Sequence, residues 1–163
     1  MVFTMINELD ATDLGALGRL SRDGRTTWAD LAAEFGLTAP AMAARVKRLV
    51  DRDVIRQFAA CVSPAAVGAV TAFVDVTFGD PNGHDEFRQT IGRLVAVQEC
   101  HRIAGSAQYL LKIRARSSED LEGLLTSVLP KAARGASFRV SMVMSTVKES
   151  PIFPLPKSET ATR

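Results

Sequence analysis

The sequence predicts an α+β protein in two parts, an N-terminal winged helix-turn-helix joined by a hinge to a ferredoxin-like βαββαβ domain. Three observations carry that reading. Up to about residue 60, apolar residues recur at helical spacing: Leu14, Leu17 and Leu20, then Leu31 and Phe35, then Met42, Val46 and Leu49. Beyond it come strand-like runs, VTAFVDVTF at 70–78, YLLKIRA at 109–115 and FRVSMVM at 138–144. Between the two, Ser63-Pro64 and Gly68 punctuate the chain as a linker does. The expected division is a helical domain over 1–60, a hinge over 61–68, a sheet domain over 69–150 and an extended tail over 151–163.

Each element has a local cause. Asp10, with Asp13 three residues on, is placed to cap a first helix. Gly24 ends that helix, and Arg22 in its last turn suits the negative end of the dipole. Thr27 followed by Asp30 predicts a second helix that stops at Gly36. Thr38 caps a third, with Pro40 tolerated in the first turn because that amide has no intrahelical partner. DVIRQFAA at 53–60 reads as a short strand leaving the helices, where a winged variant carries its wing.

The second part parses into two strand–helix–strand halves. Strand 70–78, helix 84–94 with Phe87, Ile91 and Leu94 on one face, and strand 97–104 form the first. Strand 108–115, helix 118–129 with Leu121, Leu124, Leu125 and Val128, and strand 137–147 form the second, Ser117 and Asp120 capping its helix. One sheet face packs on both helices. The other is open and carries Phe73 and Leu110, and an apolar open face predicts self-association. The tail SPIFPLPKSETATR holds three prolines and a polar end, which predicts an extended, partly disordered segment.

Composition narrows the function. The 163 residues are 47% hydrophobic and 23% charged with net charge +2, which permits an acidic partner without demanding one. MVFTMINELD has no positive n-region, and no apolar run approaches the ~18 residues of a membrane span, so a cytoplasmic protein without a membrane partner is expected. Cys61 and Cys100 form no CxxC, and His84 and His101 do not complete a set of about four close metal ligands. Free, partly buried thiols, no metal and no cofactor are the expectation.

No catalytic residues are expected either. Alternation along a strand puts Cys100 and Arg102 on one face and His101 on the other, out of reach for a Cys-His pair, so His101 reads as a surface or interface histidine. His84 reads as solvent-exposed, and Gly79-Asp80-Pro81-Asn82-Gly83 as turn chemistry rather than a phosphate loop. Trp28 either stacks on a sugar or base or, the favoured reading, seals the small helical core. Lys112, Arg114 and Arg116 alternate with Leu111, Ile113 and Ala115 as a solvated sheet edge or assembly surface.

LAAEFGLTAPAMAARVKRL at 31–49 bears most directly on function. Two helical patterns joined by a short turn containing Gly make a helix-turn-helix arrangement. With Met42, Val46 and Leu49 inward, Ala41, Ala44, Arg45 and Arg48 point outward or to the flank. Small residues let a helix backbone approach the DNA major groove closely, and arginines reach guanine edges or phosphates. Five cations, Arg45, Lys47, Arg48, Arg52 and Arg56, stand against Asp51 and Asp53. The plainer alternative is a structural helix pair whose cationic ends complement the dipole. Residues 1–60 balance eight basic against eight acidic side chains, so this half has no overall positive field.

Taken in order, LDATDLGALGRLSRDGRTTWADLAAEFGLTAPAMAARVKRLVDRDVIRQF, SPAAVG, AFVDV, VQEC, AGSAQYLLKI and VMSTVKES resemble the leucine-responsive regulator (Lrp)/AsnC family of bacterial and archaeal transcription factors, over roughly residues 7 to 155. The resemblance implies a winged helix-turn-helix, a hinge and a ferredoxin-like ligand-sensing (RAM) domain. It also implies homodimers that assemble further, often into octamers, and regulation by small molecules, usually amino acids. It puts the recognition helix at about 38–50, with Thr38, Ala39, Ala41, Ala44, Arg45, Lys47, Arg48 and Arg56 at double-stranded DNA. Relatives often carry a basic residue where Ala44 stands, which shifts weight here from base readout toward shape and phosphate contacts.

The effector-binding residues implied are Ala104, Gly105, Ser106, Gln108 and Val140. Here the chain departs from the family pattern. The loop before YLL usually reads Gly-Asp-x-Asp, whereas this chain has Gly105-Ser106-Ala107-Gln108; Val140 replaces a threonine, and the turn KAARGASF is longer than usual. Ser106 and Gln108 hydrogen-bond but do not neutralise an ammonium group. Without the resemblance, AGSAQ is a tight turn between antiparallel strands. A related branch decarboxylates haem precursors with histidines and aromatic-rich strands, which two histidines and one tyrosine do not supply. The expectation is a sequence-specific DNA-binding regulator, modulated by an amino acid or related metabolite. The competing class is a metabolite-binding or assembly protein of the same fold that has lost DNA binding.

Overall fold

The computed structural model describes residues 9–79 and 84–155. Most of the turn expected at Gly79 to Gly83 and the polar end of the tail lie outside them. The chain forms two compact units, one from the described parts of Met1–Cys61 and Lys148–Arg163, the other from Val62–Val147.

The helical unit contains α1 (Ala11–Arg22), α2 (Trp28–Glu34) and α3 (Ala39–Asp51). Each starts on the cap its sequence offers. The Asp13 amide donates to Asp10 Oδ1 at 2.8 Å and the Asp10 amide to Asp13 Oδ2 at 3.4 Å, a reciprocal capping box. Thr27 Oγ1 accepts from the Asp30 amide at 3.1 Å and Thr38 Oγ1 from the Ala41 amide at 3.4 Å. After α2 the chain turns at Gly36, whose φ of +64° is the left-handed conformation glycine adopts without penalty. Ala16, Leu20, Leu31, Ala32, Met42 and Val46 form the core, with Phe35, Leu37 and Ile55 packed against it. Gly15 makes room for one of these: a Cβ there would stand 2.4 Å from Phe35 Cε1.

Two expectations fail in this unit. Residues 53–60 form no strand: Val54 and Ile55 amides close the end of α3 on the Leu49 carbonyl at 2.9 and 3.1 Å, and 56–60 run on exposed. A strand exists through its ladder bonds, and among the described residues none pairs with this segment. Trp28 does not seal the core. It is 40% exposed and meets Phe58 edge-on, ring centroids 6.4 Å apart.

The sheet unit has the strand order β2-β3-β1-β4, all neighbours antiparallel, from β1 (Val70–Phe78), β2 (Val97–Arg102), β3 (Tyr109–Ala115) and β4 (Ala136–Met142). β3 lies between β2 and β1, so the first strand–helix–strand unit is split, as a ferredoxin-like fold requires. Alternation sorts the faces. Ala72, Val74, Val76 and Phe78 of β1 and Tyr109, Leu111, Ile113 and Ala115 of β3 are buried, meeting Phe87 and Ile91 of α4 (His84–Ile91) and Leu121, Leu129 and Ala132.

The second crossover is interrupted. α5 (Ser118–Gly123) passes through a π-helical turn (Leu124–Val128) into α6 (Leu129–Ala132). Pro130 supplies the cause: it has no amide to donate, and its ring would collide with the Thr126 carbonyl in a regular helix. On the open face Phe73 is 38% exposed and Leu110 half-buried, with Lys112 Nζ bonded to Glu99 Oε1 at 3.2 Å. Both cysteines are free and exposed rather than partly buried. His84 corrects its expectation too: it is half-buried, its Nδ1 3.2 Å from Tyr109 Oη and its ring 4.8 Å from that of Phe78.

Candidate nucleic-acid interface and effector loop

α3 buries Met42, Val46 and Leu49 and exposes Thr38, Pro40, Ala41, Ala44, Lys47, Arg48 and Asp51. The spacing of 3.6 residues per turn puts Ala41, Ala44 and Arg48 on one stripe, so the outward face is smooth at its start and cationic toward its end. Ala39 is half-buried beside it, and Arg56 beyond the helix is exposed. Lys47 Nζ holds Asp51 at 2.6 Å, one turn on, with both side chains more than half exposed. Arg48 is exposed and has no carboxylate partner among the described residues.

Arg45 is placed differently. Its Nη1 donates to Asp10 Oδ2 at 2.6 Å and to Asp13 Oδ1 at 2.9 Å, so the capping box of α1 also clamps α3. Burial pushes the Asp10 carboxyl up, but the Asp13 amide, the hydrogen bond and charge of Arg45, and the Thr12 amide together hold it below its ordinary value. A polar cleft of about 180 Å³ separates this clamp from Arg48 and Arg52.

The loop between β2 and β3 is organised by Gln108. The Phe78 amide donates to Gln108 Oε1 at 2.7 Å, and Gln108 Nε2 reaches the Phe78 carbonyl at 3.4 Å, so the side-chain amide imitates one more ladder pair at the end of β1. The Ile103 amide closes the loop on the Gln108 carbonyl at 3.0 Å. Ala104, Gly105 and Ser106 are exposed. Val140 is not brought to them within one chain. It pairs with Val74, four positions from Phe78 and so about 13 Å along the sheet. A cavity of about 510 Å³ opens elsewhere on this unit, lined by Gln98, Arg114, Arg116, Asp120 and Leu124 among others, and none of the loop residues borders it. Among the described residues, no three or more His, Cys, Asp or Glu side chains group to hold a metal ion.

Comparison with known proteins settles the ancestry. Residues 9–50 match the AsnC-type helix-turn-helix domain and residues 71–153 the Lrp/AsnC ligand binding domain. The chain belongs to the Lrp/AsnC family. The proline dehydrogenase transcriptional activator of Rhizobium radiobacter is 36% identical over 90% of this chain and 96% of its own. The crystal structure of the leucine response regulatory protein of Mycobacterium tuberculosis superposes with a TM-score of 0.82 at 32% identity, covering 91% of this chain and all of that one. A Neisseria meningitidis transcriptional regulator, solved as its L-Met complex, gives a TM-score of 0.77 at 26% identity over 90% of this chain and 96% of that one.

This member of the Lrp/AsnC family is therefore a DNA-binding transcriptional regulator. Two of its structural features were invisible in the sequence. The Arg45 clamp joins residues more than thirty positions apart, although a carboxylate as enclosed as Asp13, with 11% of its side chain exposed, demands a cation somewhere. The Gln108 cap leaves no periodic trace at all.

Proposed function

We propose that the chain reads double-stranded DNA with the outward face of α3 and works as a homodimer, assembling toward an octamer, in the cytoplasm and without a catalytic centre. The observation that carries this is the stripe of Ala41, Ala44 and Arg48, exposed while Met42, Val46 and Leu49 anchor the helix. Thr38, Ala39, Ala41 and Ala44 take the closest approach, and Arg48, Lys47 and Arg56 the phosphates. Arg45 contributes by fixing α3 on α1. That no helix among the described residues is long and apolar enough to cross a membrane is compatible with this setting. Titrating the full chain with its own upstream DNA at two salt concentrations tests the reading. Saturable binding that falls with salt and exceeds binding to random duplex is expected. Equal affinity for both duplexes would favour an assembly protein that no longer regulates.

The effector is an amino acid or a related metabolite, as the L-Met complex of the Neisseria regulator supports. Ser106 and the exposed backbone of Ala104 and Gly105 offer hydrogen bonds, while Gln108 is committed to Phe78. Val140 joins them from a second copy, so ligand and assembly are linked. A thermal-shift screen of amino acids reads this directly: a stabilised midpoint supports it, and none across the set argues for a ligand without an ammonium group.

A further inference from the structure

We propose that the outer face of α1 is a docking groove whose occupant is the chain's own C-terminal segment, residues 151–155. α1 turns Asp13, Ala16 and Leu20 into the core. Gly18 follows Ala16 by two positions, about 200° around the helix, and so lies on the opposite side. That side is partly covered: Ala11 and Arg22 are exposed there, but Gly18, with Leu14 at its flank, is half-buried. Gly18 is where the later segment reaches it. A Cβ there would stand 3.8 Å from Leu155 Cδ1 and 3.6 Å from Arg22 Nη1, which itself donates to the Gly18 carbonyl at 2.8 Å.

The segment meets α1 through one residue. Pro151, Ile152, Phe153 and Pro154 are exposed, whereas Leu155 is half-buried. The Leu155 amide donates to the Phe153 carbonyl at 3.0 Å and the Ile152 amide to Ser150 Oγ at 3.2 Å, two local bonds that turn the segment. Pro151 and Pro154 fix φ and lower the conformational entropy lost on docking. Lys148 onward groups with the helical unit and not with the sheet unit that precedes it in sequence. The helical unit is therefore assembled from two distant pieces of chain, and two covalent connections, not one, join it to the sheet unit. This holds whatever α3 binds.

Hydrogen–deuterium exchange on the full chain tests it, with Leu155→Asp against Leu155→Met. The aspartate variant is expected to raise exchange severalfold across α1 while β1 and β3 keep wild-type rates, and the methionine variant to match wild type. Unchanged exchange in α1 for Leu155→Asp, or an equal rise in β1 and β3, would overturn the docking. Hydroxyl-radical footprinting of the unmodified chain gives a second reading: Leu155 is expected to be less reactive than Ile152 and Phe153, and equal reactivity after correction for residue type would overturn it as well.

Discussion

Arg45 shows how far a residue's chemistry can sit from its employment. A guanidinium on the flank of α3 has the reach for a phosphate, yet here Asp10 and Asp13 hold it at 2.6 and 2.9 Å. Arg45→Ala leaves the enclosed Asp13 carboxylate without its cation, and a loss of about 1–3 kcal/mol is expected. Trp28 is the sole tryptophan and lies in the helical unit, so its fluorescence during urea unfolding follows that loss. Asp10 adds a pH dependence of known sign. Its carboxyl titrates lower folded than unfolded, so its stabilising contribution is full above the unfolded value and disappears as pH falls through the folded one. Acidification below about pH 4 should therefore lower the fluorescence-detected midpoint, and Asp10→Asn should lose less over the same interval. In the sheet unit, Gln108→Ala orphans the Phe78 amide. A cost of about 1–3 kcal/mol is expected in the circular-dichroism transition, with the tryptophan signal of the other unit little changed.

Among the elements, those with a local cause were legible. β1 spans Val70–Phe78, as its alternation predicted, because Ala72, Val74, Val76 and Phe78 all point to one core. Asp10, Thr27, Thr38 and Ser117 cap the helices assigned to them. The strand expected at 53–60 has no neighbour to pair with among the described residues, and pairing is not a local property. The apolar spacing predicts one helix over 118–129 in the last crossover; the break at Leu124–Val128 traces to Pro130, which that spacing does not register. β4 ends at Met142, short of the expected 147: the Val143 amide still donates to the Thr71 carbonyl at 2.9 Å, but β1 itself begins at Val70, so little of it is left to pair with. Gly15 yields a test at this scale. Alanine is ordinarily the better helix former by roughly 0.5–1 kcal/mol, but its methyl would collide with the Phe35 ring. Gly15→Ala should therefore destabilise the helical unit by about 1–3 kcal/mol in urea, whereas a gain in stability would mean that Phe35 yields freely.

The whole molecule joins a small helical unit to a sheet unit whose open face mixes Phe73 and Leu110 with Lys112 and Glu99, and the change of periodicity near residue 60 falls where the first unit gives way to the second. The effector site was the least legible part. Its candidate residues lie on a loop, Ala104 to Gln108, and on a strand, where Val140 pairs with Val74 and is not placed at that loop. In the proposed homodimer, the spacing between the two copies of α3 would have to match the turns of duplex DNA. Arg48→Ala tests the reading head most directly, with affinity measured by gel shift at one fixed salt concentration and size by sedimentation. Operator binding weakened by about 1–3 kcal/mol, roughly tenfold or more, with the oligomer unchanged in size, is the expected result. Wild-type affinity in that variant would contradict α3 as the element that meets DNA.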